Sequence, residues 1–319
     1  MIAGIPRISV LVICYNQEKV ISRAIDSLLA QKDYIYEICV SDDNSKDRTW
    51  EILQEYDRQY PGLFVLNRNE PNVGIFENFE KTWTMPSGDL VYQLSGDDEC
   101  GENWMQTIIG FIQRNHIDYK NEDVCFYGDY KAIYPNGDLM VFRNNLINTT
   151  TDTIYLFLRN CIGMRSVCFS IGCLKRFEKV SQGRSHIAET AQEVQIPLNA
   201  QKNYYIAHVG NIYYTGIGIS TQTSSDRFFD ERQMIVPYAL SFLERKGVSV
   251  DPEFTPYIKA NLAAKEFHHN RSLKNLLKMV FCKIRSYDHR IGLKSIGFKQ
   301  LVFALRRRLP HKRPIVMYI

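Results

Sequence analysis

The 319-residue chain lacks most of the short motifs that assign an enzyme class. Its eight cysteines, at positions 14, 39, 100, 125, 161, 168, 173 and 282, form no CxxC pair, and no Cys/His group has zinc spacing. Cys14 and Cys39 sit inside apolar runs, so reduced core thiols of a cytosolic protein are expected. There is no GxGxxG and no GxxxxGK[ST], which argues against a dinucleotide fold and a P-loop enzyme. No apolar run reaches the roughly 18 residues of a spanning helix. The run Ile8–Cys14 is strand-length, and the residues before it do not read as a signal peptide. A cytoplasmic protein is the expectation. Internal repeats and low-complexity tracts are absent too.

What is present is an ordinary globular composition, 45% hydrophobic and 23% charged, with 19 Tyr and 17 Phe. Aromatic faces stack on sugars and bases, though they fill cores equally well. The net charge of +4 conceals an asymmetry. From Lys265 to Ile319 there are 14 Lys/Arg against two acids, whereas the rest carries 25 against 33. The two parts are expected to face different partners.

The run ISVLVIC (Ile8–Cys14) reads as a strand buried on both faces of a parallel sheet. Val20, Ile21, Ala24, Ile25, Leu28 and Leu29 follow at helical spacing. EICVS (Glu37–Ser41) is a second buried strand, Thr49–Tyr60 a helix stopped by Pro61-Gly62, Phe64–Leu66 a third strand, and LVYQL (Leu90–Leu94) a fourth. Such alternation predicts an α/β, doubly wound, mostly parallel sheet flanked by helices. Ligands bind such sheets beyond the carboxyl ends of the strands. Three polar clusters fall there: Tyr15–Glu18, Asp42–Ser45 and Ser95–Glu99.

In Ser95-Gly96-Asp97-Asp98-Glu99 the carboxylates repel one another and need a counter-charge. Mg²⁺ or Mn²⁺ would supply it and could bridge to phosphate oxygens. Gly96 lets backbone approach a bulky ligand closely. The plain alternative is a solvated acidic turn, disfavoured by the second pair, Asp42-Asp43, at a neighbouring strand end. One cluster could bond a base or ribose while the other holds metal and diphosphate, which describes a nucleotide-diphosphate-sugar site.

Over roughly residues 8–110 the chain resembles the family 2 glycosyltransferases, which have the GT-A fold. The resemblance rests on ISVLVICYN, AIDSLLAQ, EICVSDDNSKDRT, NEPNVG followed by an Asn, and SGDLVYQLSGDDE with Trp104 after it. It implies an inverting transferase using a nucleotide-diphosphate sugar, a UDP-sugar first, and moving a hexosyl or N-acetylhexosaminyl group. It also implies that Tyr15 and Asp43 contact the nucleoside, beside Cys14, Asn16, Glu18 and Asp42. Asn72, Gly74 and Lys81 would border the donor with Gly96 and Asp97. The metal motif of the family, a DxD variant, falls on Ser95-Gly96-Asp97, so Ser stands for the first acid. Asp97 alone, or Asp97 with Asp98, would then hold Mg²⁺ or Mn²⁺.

Inverting transfer needs a carboxylate to deprotonate the acceptor hydroxyl. By the same resemblance, the base falls on Glu193 or, four residues away, Glu189, before a strand at Tyr205-Ile206-Ala207. Where the family has a YR-x-H-like segment, this chain has Tyr213-Tyr214-Thr215-Gly216. The lone histidines 186, 208, 268 and 269 are not at metal-site spacing. The stretch Cys161–Cys173 reads as an apolar strand or loop pair. A GT-A domain over 1–225 is expected, with 1–110 the donor half and 111–225 the acceptor side, followed by a basic helical region over 226–319.

That region predicts helices over Met234–Arg245, Pro256–Phe267, Leu273–Arg285 and Ile296–Leu309. LKNLLKMVFCKIR places Leu276, Leu277, Val280, Phe281 and Ile284 on one side among Lys and Arg. Basic amphipathic helices of this kind suit an anionic membrane surface, and equally a solvated cap or an oligomer contact. No nucleic-acid module accompanies the charge, so nucleic acid is not expected. The acceptor implied is a glycan or a lipid-linked hydroxyl in bacterial surface polysaccharide or lipopolysaccharide synthesis. Two other classes compete. One is a catalytically weakened nucleotide-sugar-binding or scaffold protein, favoured by Ser95. The other is a sugar nucleotidyltransferase, which would need a Gly/Arg-rich loop where Cys14-Tyr15-Asn16-Gln17 stands.

Overall fold

A computed structural model describes residues 4–143, 165–178, 195–196, 198–217, 241–247, 259, 263, 272–285 and 316–318. Strand β1, Ile8–Cys14, has no exposed residue, as a β-branched run in a sheet interior requires. It lies between two parallel partners, β2 (Glu37–Asp42) and β4 (Leu90–Ser95), and β3 (Phe64–Arg68) extends the sheet beyond β2. Helices α1 (Ile21–Leu29), α2 (Thr49–Gln59) and α3 (Ile75–Thr82) make the crossovers. Helix α1 buries Ile21, Ala24, Ile25 and Leu28, an i, i+3, i+4, i+7 stripe. Each of its larger apolar side chains contributes about 1.5–3 kcal/mol through burial. The strand order β3-β2-β1-β4 reverses direction between β1 and β4. At such a switch point the loops part and leave a crevice at the carboxyl ends.

Beyond β4 the sheet becomes mixed. Strand β8 (Val167–Ser170) runs antiparallel to both β4 and β6 (Val124–Ile133). Strand β9 (Lys202–Tyr214) runs parallel to β6, and β7 (Leu139–Phe142) antiparallel to it. One edge of β6 is therefore shared: Cys125–Tyr127 bonds β8, and Tyr130–Ile133 bonds β7. The other edge follows β9, with a register shift around Gly128.

Fully buried Trp104, which opens α4 (Trp104–Arg114), explains two glycines. A Cβ on Gly128 would come within 2.7 Å of its ring, and one on Gly210 within 2.6 Å. The short strand β5 (Glu99–Cys100) pairs antiparallel with Ile212 and Asn211 of β9. That pairing carries the acidic turn after β4 to the far end of β9.

Part of the Cys161–Cys173 stretch differs from expectation. After β8 the chain turns into helix α5 (Ile171–Lys175), because Cys173 and Leu174 bury on one side of it. Positions 161–164 lie outside the described residues. Helix α6 covers Leu273–Arg285 as expected, and β10 (Val316–Tyr318) pairs with β7. Of the other tail helices, only 241–245, 259 and 263 are described, and all are helical. Among the described residues, no helix is long and apolar enough to cross a membrane.

Candidate active site

The loops after β1 and β2 are stitched into one surface. The amide of Asn16, at φ 51°, donates to Ser45 Oγ at 2.9 Å, and its side-chain oxygen accepts from the Lys46 amide at 2.8 Å. The Gln17 amide donates to Thr49 Oγ1 at 2.7 Å, and the Glu18 amide to Asp47 Oδ2 at 3.0 Å. Glu18 accepts in return from the Arg48 amide at 3.1 Å. Burial pushes the Asp47 carboxyl up, but bonds from the Thr49 hydroxyl and from the amides of Glu18 and Thr49 outweigh it and hold it below the usual range. Tyr15 stands out of this surface, 42% exposed. Cys14 points inward; its thiol contacts Asp42, and burial pushes that thiol well up.

Both members of the Asp42-Asp43 pair are buried. Asp42 closes the turn on Ser45, accepting from its amide at 3.0 Å and from its hydroxyl, and Arg68 Nε lies 3.5 Å away. Asp43 organises the loop before α3. Its Oδ1 accepts from Asn69 at 3.0 Å and the Val73 amide at 2.9 Å, and its Oδ2 from the Gly74 amide at 2.8 Å. Asn72 donates to the Asp43 carbonyl at 2.7 Å. A carboxylate offers about four lone-pair sites, so one is left for a ligand. Gly74 has φ 89°, which lets its amide turn toward Asp43. Beneath the loop, Asn78 bonds Ser41 and Asn69, and Lys81 Nζ reaches Asn69 Oδ1 at 2.9 Å. Lys81 is exposed, with its ammonium anchored on the buried Asn69 amide.

The turn after β4 is built differently. Gly96 packs against Ile13 and Gln17, where a Cβ would sit 2.2 Å from Gln17 Oε1 and 3.0 Å from the Ile13 carbonyl. This close approach brings the turn beside the first loop. Asp98 is 1% exposed and faces Arg165, with Nη1 to Oδ2 at 3.1 Å, while its Oδ1 accepts from the Tyr214 amide at 3.3 Å. Glu99 accepts from the Tyr214 hydroxyl at 2.7 Å and lies 3.3 Å from Arg23 Nε. Burial lifts the Tyr214 phenol to about 12, helped by that bond to Glu99. Burial also pushes the Asp97 carboxyl above its ordinary range; its own amide, Arg165 and Arg23 oppose the shift without cancelling it. Among the described residues no side chain donates a hydrogen bond to the Asp97 carboxylate.

Asp97 is therefore a half-buried carboxylate with no side-chain hydrogen-bond donor among the described residues, and its burial disfavours the bare charge, which suits a hard cation. No cluster of three or more His, Cys, Asp or Glu side chains poised around one point is found among the described residues. Mg²⁺ commonly takes one or two carboxylates and completes its shell with substrate phosphates and water, so Asp97 alone fits such an ion. Asp98 fits only if it gives up Arg165.

Sequence reasoning missed Arg23 and Arg165. Arg23 reads as a solvated residue of α1, and Arg165 as a stray charge in an apolar stretch. Glu189 and Glu193 lie outside the described residues. His208 is structural: it stacks on Trp104 at 5.9 Å between centroids, with Nε2 2.6 Å from the Glu102 carbonyl.

The sequence profile of glycosyl transferase family 2 matches residues 9–168, half of the chain, which includes the turns after β1, β2 and β4. The chain belongs to glycosyl transferase family 2. Among its relatives, an uncharacterized protein of Mycobacterium bovis is 30% identical over 130 residues, 40% of this chain and 36% of that protein. The putative glycosyltransferase EpsE of Bacillus subtilis is 26% identical over 110 residues, 34% of this chain and 40% of that one. The matched part thus spans well under half the length of these curated relatives. Among solved structures, S. aureus TarS 1-349 in complex with UDP-GlcNAc superposes with TM-score 0.60 at 16% identity, covering 86% of this chain and 79% of that one. The mannosyltransferase PcManGT of Pyrobaculum calidifontis, in complex with GDP-Man and Mn²⁺, gives 0.53 at 14% identity, covering 96% and 81%. Those likenesses establish a GT-A fold for this family 2 member.

Proposed function

We propose that the chain is an inverting glycosyltransferase. It moves a hexosyl or N-acetylhexosaminyl group from a nucleotide-diphosphate sugar to a hydroxyl of a glycan or lipid-linked acceptor, in bacterial surface polysaccharide or lipopolysaccharide synthesis. The observation that carries this reading is Asp97, half-buried and without a side-chain donor among the described residues, at the switch point of a family 2 sheet. UDP-GlcNAc in TarS favours a UDP-sugar, and GDP-Man with Mn²⁺ in PcManGT favours a divalent cation.

In this reading the nucleoside stacks on Tyr15 and takes the remaining acceptor site of Asp43, and the diphosphate lies toward Asp97. Residues 1–110 act as the donor half and 111–225 as the acceptor side. Asp97 would hold Mg²⁺ or Mn²⁺, which when bound offsets negative charge on the departing diphosphate. The burial that raises the Asp97 carboxyl also strengthens its attraction to a cation. The acceptor proton passes to a carboxylate, for which the family resemblance offers Glu193 or Glu189.

The basic region 226–319 would lie on the anionic inner face of the membrane. Its helix α6 exposes Leu273, Leu277, Val280 and Phe281, spaced along one stripe, between lysines. Truncation after about residue 270 should abolish binding to anionic liposomes but spare binding to nucleotide, and unchanged liposome binding would refute the membrane role.

The transferase reading is tested by a thermal-shift screen of nucleotide sugars with and without Mn²⁺ or Mg²⁺. Cation-dependent stabilisation by one nucleotide supports it, and no response to any removes it. The pairing of Asp98 with Arg165 also favours a second reading, a nucleotide-sugar-binding protein with weakened turnover. Stabilisation without transfer across a broad acceptor panel would select that one.

A further inference from the structure

Asn69, just past β3, sits at the crossing of a buried polar network. It is 2% exposed, as is Asn78, and Asp43 is 3% exposed. A side-chain amide has two donor and two acceptor positions, and all four of Asn69 are filled. Its Nδ2 donates to Asp43 Oδ1 at 3.0 Å and to Asn78 Oδ1 at 2.8 Å. Its Oδ1 accepts from Asn67 Nδ2 at 3.1 Å and from Lys81 Nζ at 2.9 Å. The two charged neighbours fix which way the amide points. An ammonium only donates and a carboxylate only accepts, so the amide oxygen faces Lys81 and the amide nitrogen faces Asp43. An exposed cation at the end of α3 thus holds a buried amide, which in turn holds a buried carboxylate. The bonds to that carboxylate are unequal. Oδ1 accepts twice, from Asn69 and from the Val73 amide, and Oδ2 accepts once, from the Gly74 amide.

We infer that Asn69, locked by Lys81, determines which nucleobase the site selects, because by filling Oδ1 it leaves Asp43 able to accept one N–H and not two. The inference rests on the reading in which Asp43 meets the nucleoside. Uracil presents a single N–H between two carbonyls, and the open position on Oδ2 takes it. Guanine presents two N–H donors side by side, a pair that matches both oxygens of an unencumbered carboxylate. Here its second donor meets a filled Oδ1 and stays unpaired, which costs affinity in a buried site. Cytosine turns an unprotonated ring nitrogen toward the carboxylate, where acceptor faces acceptor. A uracil nucleotide is therefore the donor class that this arrangement selects. Asn69 is the specificity-determining residue, and Lys81 is a positioning residue that acts through Asn69 and Asp43 rather than on the donor itself.

The test titrates the full chain, in Mg²⁺, with UDP, GDP, CDP and inorganic pyrophosphate. It is repeated on Asn69→Ala, Lys81→Met and Lys81→Arg, with circular dichroism as the check on folding. Wild type should bind UDP about tenfold or more tighter than GDP or CDP. Asn69→Ala opens Oδ1 and should narrow the ratio of UDP to GDP affinity about fivefold or more. Lys81→Met frees the amide to shift and should narrow that ratio about threefold. Lys81→Arg keeps a cation that only donates and should restore the wild-type ratio. Pyrophosphate affinity should stay within about twofold throughout. A network that merely props up the loop would weaken UDP and GDP together and leave their ratio unchanged, which overturns the inference. Equal loss of pyrophosphate in Lys81→Met would mean that Lys81 touches the donor directly, and would overturn its positioning role. If Asn69→Ala does not fold, the exposed Lys81 decides: an unchanged ratio in Lys81→Met overturns the inference. A wild-type chain that binds GDP as tightly as UDP overturns base selection alone. One that binds no nucleoside diphosphate overturns the transferase reading with it.

Discussion

The two acidic turns of this molecule have nearly the same composition and opposite electrostatic designs. Asp42 and Asp43 are held mainly by neutral donors: backbone amides, a serine and an asparagine, with Arg68 only at the edge. Their carboxylates are structural centres that fix two loops, and little of either is left for a ligand. Asp97, Asp98 and Glu99 face guanidiniums and a tyrosine, and among the described residues Asp97 has no direct side-chain donor. Neutral donors fix a loop once and for all. Charged partners can be exchanged for a metal or a phosphate, and a desolvated carboxylate without a donor gains from that exchange. In the proposed reading the first turn therefore shapes the site, and the second does its chemistry.

That contrast can be broken most sharply at Asp97. Asp97→Asn should lower transfer by about 10²–10³-fold with the fold intact, as measured by release of nucleoside diphosphate in the presence of acceptor. A loss below about threefold would place the chemistry elsewhere. Asp43→Ala should act the other way round. It strands the donors of Asn69, Val73 and Gly74, costing about 2–4 kcal/mol and several degrees of Tm. An unchanged melting curve would mean that Asp43 is not a structural centre.

Gly74→Ala should cost less, about 1–2 kcal/mol, because φ 89° strains any residue with a Cβ, although open space surrounds the position. Chemical denaturation would show it. The smallest effect is one of pH. The folded-state pKa of Asp97 is raised, so its contribution favours folding below the unfolded value and is lost as pH rises through the folded one. Metal-free Asp97→Asn should therefore gain on wild type between acid and neutral pH. Asp47, with a lowered pKa, behaves oppositely: its contribution is present above the unfolded value and lost on acidification. Parallel melting-temperature curves for wild type and Asp97→Asn over that range would contradict the assignment.

The first four strands were legible because their signals are local. The apolar runs of β1, β2 and β4 and the stripe of α1 each lie within one stretch of sequence, and their ends were read to within about two residues. The site beyond them was not legible, because it is made by pairing across long separations. Nothing near Val124 announces that β6 will run beside Lys202–Tyr214, and the register shift at Gly128 blurs the alternation of β9. Arg23 and Arg165 acquire meaning only once β5 pairs with β9 and delivers the acidic turn to Tyr213 and Tyr214. One signal was available: two adjacent tyrosines where a cation was expected invite a search for arginines to stack on them.

The central claim is that Asp97, and not Asp98, is the primary ligand for the catalytic cation. Electron paramagnetic resonance of free Mn²⁺ measures this directly, by titrating wild type, Asp97→Asn and Asp98→Asn in the presence of the preferred nucleoside diphosphate. The account predicts that Asp97→Asn weakens Mn²⁺ binding by about tenfold or more, while Asp98→Asn, which breaks the ion pair with Arg165, stays within about threefold of wild type. Wild-type affinity in Asp97→Asn, or its loss in Asp98→Asn alone, would contradict it.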